Sequence, residues 1–324
     1  VEFISGRDLG QGTALGRYAA LWLSDVGYLT ASQAQAIREF VKAGGGLVAT
    51  YRTSLVGEDG KLRGDFALAD VLGVHATAEP RDWEPVGGYM QDASRAALCF
   101  DDGKPWWGDA AQRIIGDESE AAAGHVPWLA GGNGYVLTSP FQAVQTAPGA
   151  RVRATLRAHA DPRKPLLPGI VESRYGRGKV LYIAARVGEI YARYPFLVWR
   201  RLVAEALRRL ASRPAPVEVR APLCVTVFGW EQPASQRWVI HLLNDLDETG
   251  RPRGRMAFGK NDMYGSCPRT RTLPVRNIQL TIRRTGATRV YLPLEGRELT
   301  PRVLKDGLRV RLPRLEQHAM LVVE

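Results

Sequence analysis

The sequence has 324 residues, with 44 Lys and Arg against 33 Asp and Glu, and a net charge of +11. This length exceeds the usual ceiling for one compact core, so we expect two domains. A hydrophobic content of 45% excludes a disordered chain, and no apolar run is long enough to cross a membrane. The arginines are scattered and accompany no known nucleic-acid-binding motif, which argues against a nucleic-acid partner.

Cysteine usage and the first residues bear on the cellular compartment. The three cysteines, Cys99, Cys224 and Cys267, are far apart and odd in number, so they predict neither a disulfide framework nor a metal site. A cytoplasmic location is therefore the default expectation. Residues 1–4 read as an apolar strand without an initiator Met. The chain thus looks cut from a longer one, and secretion is not excluded.

The first regular pattern is a strand–helix–strand unit. Residues 18–23 predict a buried strand, and a helix follows with Thr30 as N-cap and Gln33 completing a capping box. Glycines 44–46 end that helix, and 47–50 form the next strand. This unit predicts a parallel crossover, and we expect residues 1–4 to form a further strand of the same sheet.

The rest of the chain divides at a proline-bearing linker, residues 212–216. Before it we predict an irregular insertion at 75–150, a hairpin around 176–178 and a closing helix over 196–210, all within an α/β domain spanning 1–212. After it, short alternating strands predict an antiparallel β-sandwich over 217–324, interrupted by a long basic loop at 245–276.

Recognisable catalytic motifs are missing from the sequence. A nucleophile elbow needs Ser or Cys flanked by glycines, and neither G-x-S-x-G nor G-x-C-x-G occurs. The five histidines lack metal-ligand spacing, and we expect His241, inside a strand, to be packed or hydrogen-bonded rather than a base. Glycines 44–46 close a helix instead of opening one, which argues against a phosphate loop. We predict no cofactor and no metal.

Two groups of residues remain as candidate sites. The irregular insertion holds four tryptophans whose rings could stack on sugars, although we favour a packing role and expect Trp106 or Trp107 to be buried. Open α/β sheets bind ligands at the carboxyl ends of their strands, where polar side chains follow two predicted strands. The candidates for carbohydrate contact are Trp83, Trp106, Trp107 and Trp128, and those for a strand-end pocket are Ser24, Asp25, Tyr51 and Arg52.

Several segments resemble the trimerisation domain of glycoside hydrolase family 42 β-galactosidases, namely residues 29–33, 40–50, 53–55, 58–60 and 65–74. Residues 175–182 and 241–244 are similar to segments of related proteins in which a small β-domain follows. The resemblance implies an open, mainly parallel, flavodoxin- or amidotransferase-like sheet with flanking helices, lacking the amidotransferase nucleophile. In the family the catalytic glutamates lie on a (β/α)8 barrel, which is absent here, so no catalytic residue is carried over.

These observations support three hypotheses. The leading one is a non-catalytic accessory and oligomerisation region of a β-galactosidase-like glycoside hydrolase, which self-associates or binds a (β/α)8 barrel. Apolar edges at residues 1–4 and 18–23 would supply the contact surface. The second is a stand-alone carbohydrate-binding module using the Trp-rich insertion, and the third is an unrecognised hydrolase with its site at the strand carboxyl ends.

Overall fold

The structure is a computed structural model that describes residues 2–10, 15–77, 96–100, 134–136, 139, 141–158, 167–193, 197–222, 224–244 and 272–324. Its contacts divide the chain into two compact units, Val1–Pro214 and Ala215–Glu324. The predicted α/β class with a C-terminal β-sandwich is confirmed. No described helix is long and apolar enough to span a membrane.

The helices of the first unit flank its sheet and are short. Their bounds are Gly6–Gly10 (α1), Ala31–Lys42 (α2), Ala69–Leu72 (α3), Val187–Arg193 (α4) and Leu197–Leu210 (α5), with a 3₁₀ turn at Leu15–Arg17. The predicted capping box is confirmed: the Gln33 N–H donates to the Thr30 hydroxyl, and the Gln33 side chain accepts from the Thr30 N–H. Local side-chain capping therefore fixes where α2 begins.

The strands of the first unit are Ala20–Leu23 (β1), Gly46–Thr50 (β2), Val74–Ala76 (β3), Ala96–Phe100 (β4), Gly134–Val136 (β5), Val144–Thr146 (β6), Arg151–Ala158 (β7), Leu167–Tyr175 (β8) and Gly178–Ile183 (β9). Seven of them form one sheet in the order β1-β2-β9-β8-β7-β4-β5, while β3 pairs with β6. Only β1, β2 and β9 run parallel, and the other pairings are antiparallel.

The sheet is thus mixed, with a smaller parallel part than predicted. The predicted hairpin is present as β8 and β9, and its turn reverses the strand direction. Strands β4 and β5, from the segment predicted to be irregular, then extend the sheet. Their apolar runs are too short to show a period, which is why the sequence pattern missed them.

The prediction of a strand at residues 1–4 is wrong for the described residues 2–4, which belong to no strand. Ser5 instead caps α1, because its hydroxyl accepts from the Asp8 N–H at 3.2 Å and donates to the Asp8 carboxylate at 2.7 Å. A capping serine followed by a helical turn competes successfully with strand pairing. Among the described strands, β1 therefore has a single neighbour, β2.

Glycines at the amino end of the parallel strands allow close backbone packing. A Cβ added to Gly46 would overlap the Leu210 carbonyl at the end of α5, and one added to Gly178 would overlap the Val41 carbonyl in α2. These glycines therefore serve helix–sheet packing rather than anion binding.

The second unit is built of nine described strands: Val217–Arg220 (β10), Val225–Gln232 (β11), Arg237–Asn244 (β12), Val275–Ile282 (β13), Val290–Leu292 (β14), Arg297–Leu299 (β15), Arg302–Leu304 (β16), Gly307–Leu315 (β17) and His318–Val323 (β18). They form two antiparallel sheets, β10-β13-β17-β16 and β11-β12-β18-β14-β15. Alternating residues of both sheets, such as Leu308, Val310 and Leu312, share one core, as expected for a sandwich.

Candidate functional site

The carboxyl ends of the three parallel strands bring together the residues predicted for a strand-end pocket. Ser24 and Asp25 follow β1, while Tyr51 and Arg52 follow β2. The Asp25 N–H donates to the Thr50 hydroxyl at 2.9 Å, and the Arg52 guanidinium lies 5.1 Å from the centre of the Tyr51 ring. We call Asp25, Tyr51 and Arg52, with the Arg186 and Glu189 described next, the strand-end cluster.

Arg186 joins this cluster and was missed by sequence reasoning. Its Nε donates to the Asp25 carboxylate at 2.8 Å, and its Nη1 lies 2.6 Å from the Glu189 carboxylate. The same guanidinium lies 5.5 Å from the Tyr51 ring centre, so the ring contacts two cations. The sequence did hold a signal, because Arg186 lies just after the carboxyl end of β9. It was overlooked because β9 was predicted only as half of a hairpin and not as a parallel strand of the sheet.

The backbone of the strand-end cluster is strained. Asp25 and Tyr51 both have φ of 52°, and Ser54 has φ of 68°. Residues other than glycine rarely adopt such φ values. Residues with a strained backbone concentrate at functional sites. Tyr51 comes directly after β2, at the kind of sharp strand-end turn on which hydrolases carry a nucleophile.

The polar groups around that turn are engaged with the backbone. The Thr53 hydroxyl donates to the Thr50 carbonyl at 2.7 Å, and the Ser54 hydroxyl accepts from the Leu68 N–H at 3.2 Å. Tyr51 itself is only 3% exposed, and its carbonyl accepts from the Tyr182 hydroxyl at 2.8 Å. The side chain at this turn is therefore shielded from solvent.

Burial and charge act in opposite directions on Asp25. Burial raises the pKa of its carboxyl group, and the attraction and hydrogen bond of Arg186, together with Arg52, offset this only in part. Burial also raises the pKa of Tyr182, which therefore remains a hydrogen-bond donor. A half-buried carboxyl group with a raised pKa and a specific charge partner marks a candidate functional residue.

Histidines and metal ligands do not complete a catalytic set in the part of the chain that is described. His75 contacts the Asp65 carboxylate at 2.6 Å, away from the strand-end cluster. His241 is hydrogen-bonded to His318, with 2.8 Å between the ring nitrogens, which confirms its predicted environment. No three His, Cys, Asp or Glu side chains gather as metal ligands among the described residues.

The predicted carbohydrate-contact residues cannot be placed in this arrangement. Trp83, Trp106, Trp107 and Trp128 all lie outside the described residues, and so does the predicted burial of Trp106 or Trp107.

Comparison with known proteins shows a shared fold. No protein-family model matches the sequence, and no curated protein matches it. An α-L-fucosidase isoenzyme 2 from Paenibacillus thiaminolyticus has a TM-score of 0.63 and 19% identity over 95% of this chain and 41% of its own. A β-galactosidase from Bacillus circulans sp. alkalophilus has a TM-score of 0.58 and 14% identity over 96% of this chain and 34% of its own.

A cold-adapted β-galactosidase from Rahnella sp. R3 also matches, with a TM-score of 0.52 and 16% identity over 97% of this chain and 35% of its own. The chain thus spans about a third to two fifths of the length of these structures. The predicted resemblance to family 42 β-galactosidases is confirmed at the level of the fold. Nearly the whole of this chain has the fold of a part of these glycoside hydrolases.

Proposed function

We propose that this chain is a non-catalytic accessory and assembly region of a β-galactosidase-like glycoside hydrolase, which supports an active site on a separate (β/α)8 barrel. The observation that carries the proposal is the occupant of the strand-end turn. The buried Tyr51 ring lies there within 5.5 Å of two guanidinium groups, and the neighbouring hydroxyls bind the backbone. A nucleophile at this turn would need an accessible oxygen or sulfur.

The structural matches support the same proposal. Each aligns with 95% or more of this chain but less than half of its own length. The remainder of those enzymes is large enough to hold a barrel, which typically takes about 250 residues.

Strand β1 supports the assembly role. It has one neighbour among the described strands, so a row of its backbone groups is available for pairing. Trp22 in this strand is 38% exposed. Burying such a ring against another chain contributes roughly 25 cal/mol for each Å² of apolar surface.

The test combines light scattering during size exclusion with assays on nitrophenyl glycosides. We expect the purified chain to self-associate and to turn over no glycoside, and Trp22→Arg to lower its mass towards that of a monomer. Trp230→Arg is the matched control, since it replaces an exposed tryptophan of the other unit. The assembly role is contradicted if the native chain is strictly monomeric when alone and also remains monomeric when it is incubated with a barrel subunit.

A second candidate function, hydrolysis at the strand carboxyl ends, is favoured by one observation. Asp25 combines a strained backbone with a raised pKa, as general acids often do. If the chain alone cleaves a nitrophenyl glycoside and Asp25→Asn abolishes that activity, this function replaces the first.

A further inference from the structure

A group of exposed rings lies on one face of the β-sandwich, and we call Phe228, Trp230, His241 and His318 the aromatic corner. Phe228 and Trp230 are two residues apart in β11, so their side chains share a face. His241 in β12 is directly opposite Phe228, and His318 belongs to the next strand, β18. Three adjacent strands therefore contribute to one surface.

The rings of the aromatic corner lie in two planes at nearly a right angle. The His241 and His318 rings are within 17° of parallel, with centroids 5.1 Å apart and a nitrogen–nitrogen distance of 2.8 Å. Such a hydrogen bond places them edge to edge. Trp230 is inclined at 88° to His241 with centroids 5.2 Å apart, and Phe228 is within 23° of parallel to Trp230.

The paired imidazoles have a fixed hydrogen-bonding capacity. His241 Nδ1 and His318 Nε2 share one proton, so in the neutral pair one ring donates and the other accepts. The remaining two nitrogens are then one donor and one acceptor, whichever tautomer is present. A hydroxyl group also donates and accepts, so neighbouring hydroxyls on a ligand match this pair.

The aromatic corner contains no Asp, Glu, Lys or Arg, although the protein carries a charge of +11. The pKa of His241 is below its ordinary value because of burial and the neighbouring His318, which favours the uncharged ring. Leu243 and Met320, on the same face, carry no charge. Charged side chains at the edges of this face have partners: Arg237 donates to the Gln232 side chain, and Glu298 pairs with Arg289. Charge therefore favours an uncharged ligand.

The size of the exposed surface favours a small ligand over a protein. Trp230 is 55% exposed and Phe228 43% exposed, which together leaves on the order of 200 Å² of ring surface accessible. A stable protein–protein contact buries roughly 800 Å² on each partner. One or two sugar rings cover an area closer to that of the aromatic corner.

We propose that the aromatic corner binds a neutral saccharide, whose apolar ring face stacks on Trp230 and whose hydroxyls bind the free nitrogens of His241 and His318. This site is distinct from the Trp-rich segment considered in the sequence. It does not depend on the accessory role of the chain, because a sugar-binding surface on the sandwich is compatible with any function of the first unit.

Calorimetric titration of the full chain tests the proposal, with β-1,4-galactotetraose, cellotetraose, xylotetraose and 2′-fucosyllactose as probes. The titration is run at about pH 7.5, and probes at about 10 mM would reveal even a millimolar site. We expect at least one probe to bind. Trp230→Ala should weaken that binding about tenfold, which corresponds to about 1.4 kcal/mol.

Two further variants make the outcome specific. His318→Phe keeps a ring but removes its nitrogens, and we expect it to weaken binding about threefold, which corresponds to about 0.7 kcal/mol. Val303→Ala, which truncates an exposed side chain on the other sheet of the sandwich, should leave the sugar affinity unchanged. The proposal is overturned if no probe binds, if Trp230→Ala binds as well as the native chain, or if that variant changes the mass in light scattering and not the sugar affinity. The last result would identify a protein contact.

Discussion

The strand-end cluster and the aromatic corner differ in how their polar groups are used. In the strand-end cluster, Asp25 and Arg186 bind each other, the backbone is strained, and the Tyr51 ring is buried. In the aromatic corner, Trp230 and Phe228 are exposed, and the neutral histidine pair has one donor and one acceptor nitrogen outside its shared hydrogen bond. The comparison teaches that a group of charges such as the strand-end cluster can serve to stabilise the fold. A surface with few charges, such as the aromatic corner, can be better suited to bind a ligand.

Replacing the Tyr51 ring tests whether the strand-end cluster stabilises the fold. We expect Tyr51→Ala to lower the free energy of unfolding by about 3 kcal/mol, because it leaves a cavity and exposes two guanidinium groups to each other. Urea denaturation of the whole chain measures the change. Trp230→Ala, which truncates an exposed ring, should cost less than about 0.5 kcal/mol. Similar costs for both variants would contradict the distinction.

Removing the Arg186 guanidinium group should lower the free energy of unfolding by less than Tyr51→Ala does. Arg186→Met keeps most of the side-chain volume but removes the guanidinium group that Asp25 and Glu189 share. Because these side chains are partly exposed, we expect a loss of about 1–2 kcal/mol in urea denaturation, less than for a fully buried pair. Arg208→Met, which breaks the exposed pair with Glu205, is the control and should cost less than about 0.5 kcal/mol. Equal losses would show that the strand-end cluster contributes no more than a surface pair.

The raised pKa of Asp25 should be visible in the pH dependence of the free energy of unfolding. Its pKa is raised in the folded chain, so between the ordinary and the raised value the folded state binds more protons than the unfolded state. The free energy of unfolding therefore falls as the pH rises through this window. Asp25→Asn should flatten that part of the profile, as measured by urea denaturation across mildly acidic pH. An unchanged slope in the variant would mean that Asp25 does not carry the effect.

The smallest expected effect lies in the aromatic corner. The pKa of His241 is lowered by burial and by His318, so His318→Ala removes one cause and opens the ring to water. We expect the pKa of His241 to move up towards its ordinary value, as followed by NMR titration of the imidazole. Replacing His75, which belongs to the first unit and pairs with Asp65, should leave the pKa of His241 unchanged. A further fall in the pKa after His318→Ala would contradict the described pairing.

Local signals in the sequence were sufficient for several elements. The capping box of Thr30 and Gln33 acts over three residues, so it could be predicted together with the start of α2. The alternation around Val310 identified a half-buried strand for the same reason. Arg186 and Asp25, in contrast, are 161 residues apart in the chain. Only tertiary structure brings such residues into contact.

The aromatic corner was missed for a related reason. Phe228 and Trp230 alternate in the sequence as core residues do. Only the structure shows that their face of β11 is exposed to solvent. The positive φ of Tyr51 is equally invisible, since a tyrosine gives no local hint of it. Strain of this kind is imposed by the surrounding packing.

The glycines at the amino end of the sheet have a consequence for evolution. At Gly46 and Gly178 even one methyl group would overlap a neighbouring carbonyl, so no other residue fits without moving a helix. The strand-end cluster, in contrast, is held by side-chain hydrogen bonds and ring contacts, which other combinations of side chains can replace. Among proteins that share this fold, we expect those two glycines to be retained more often than Asp25, Tyr51 and Arg186.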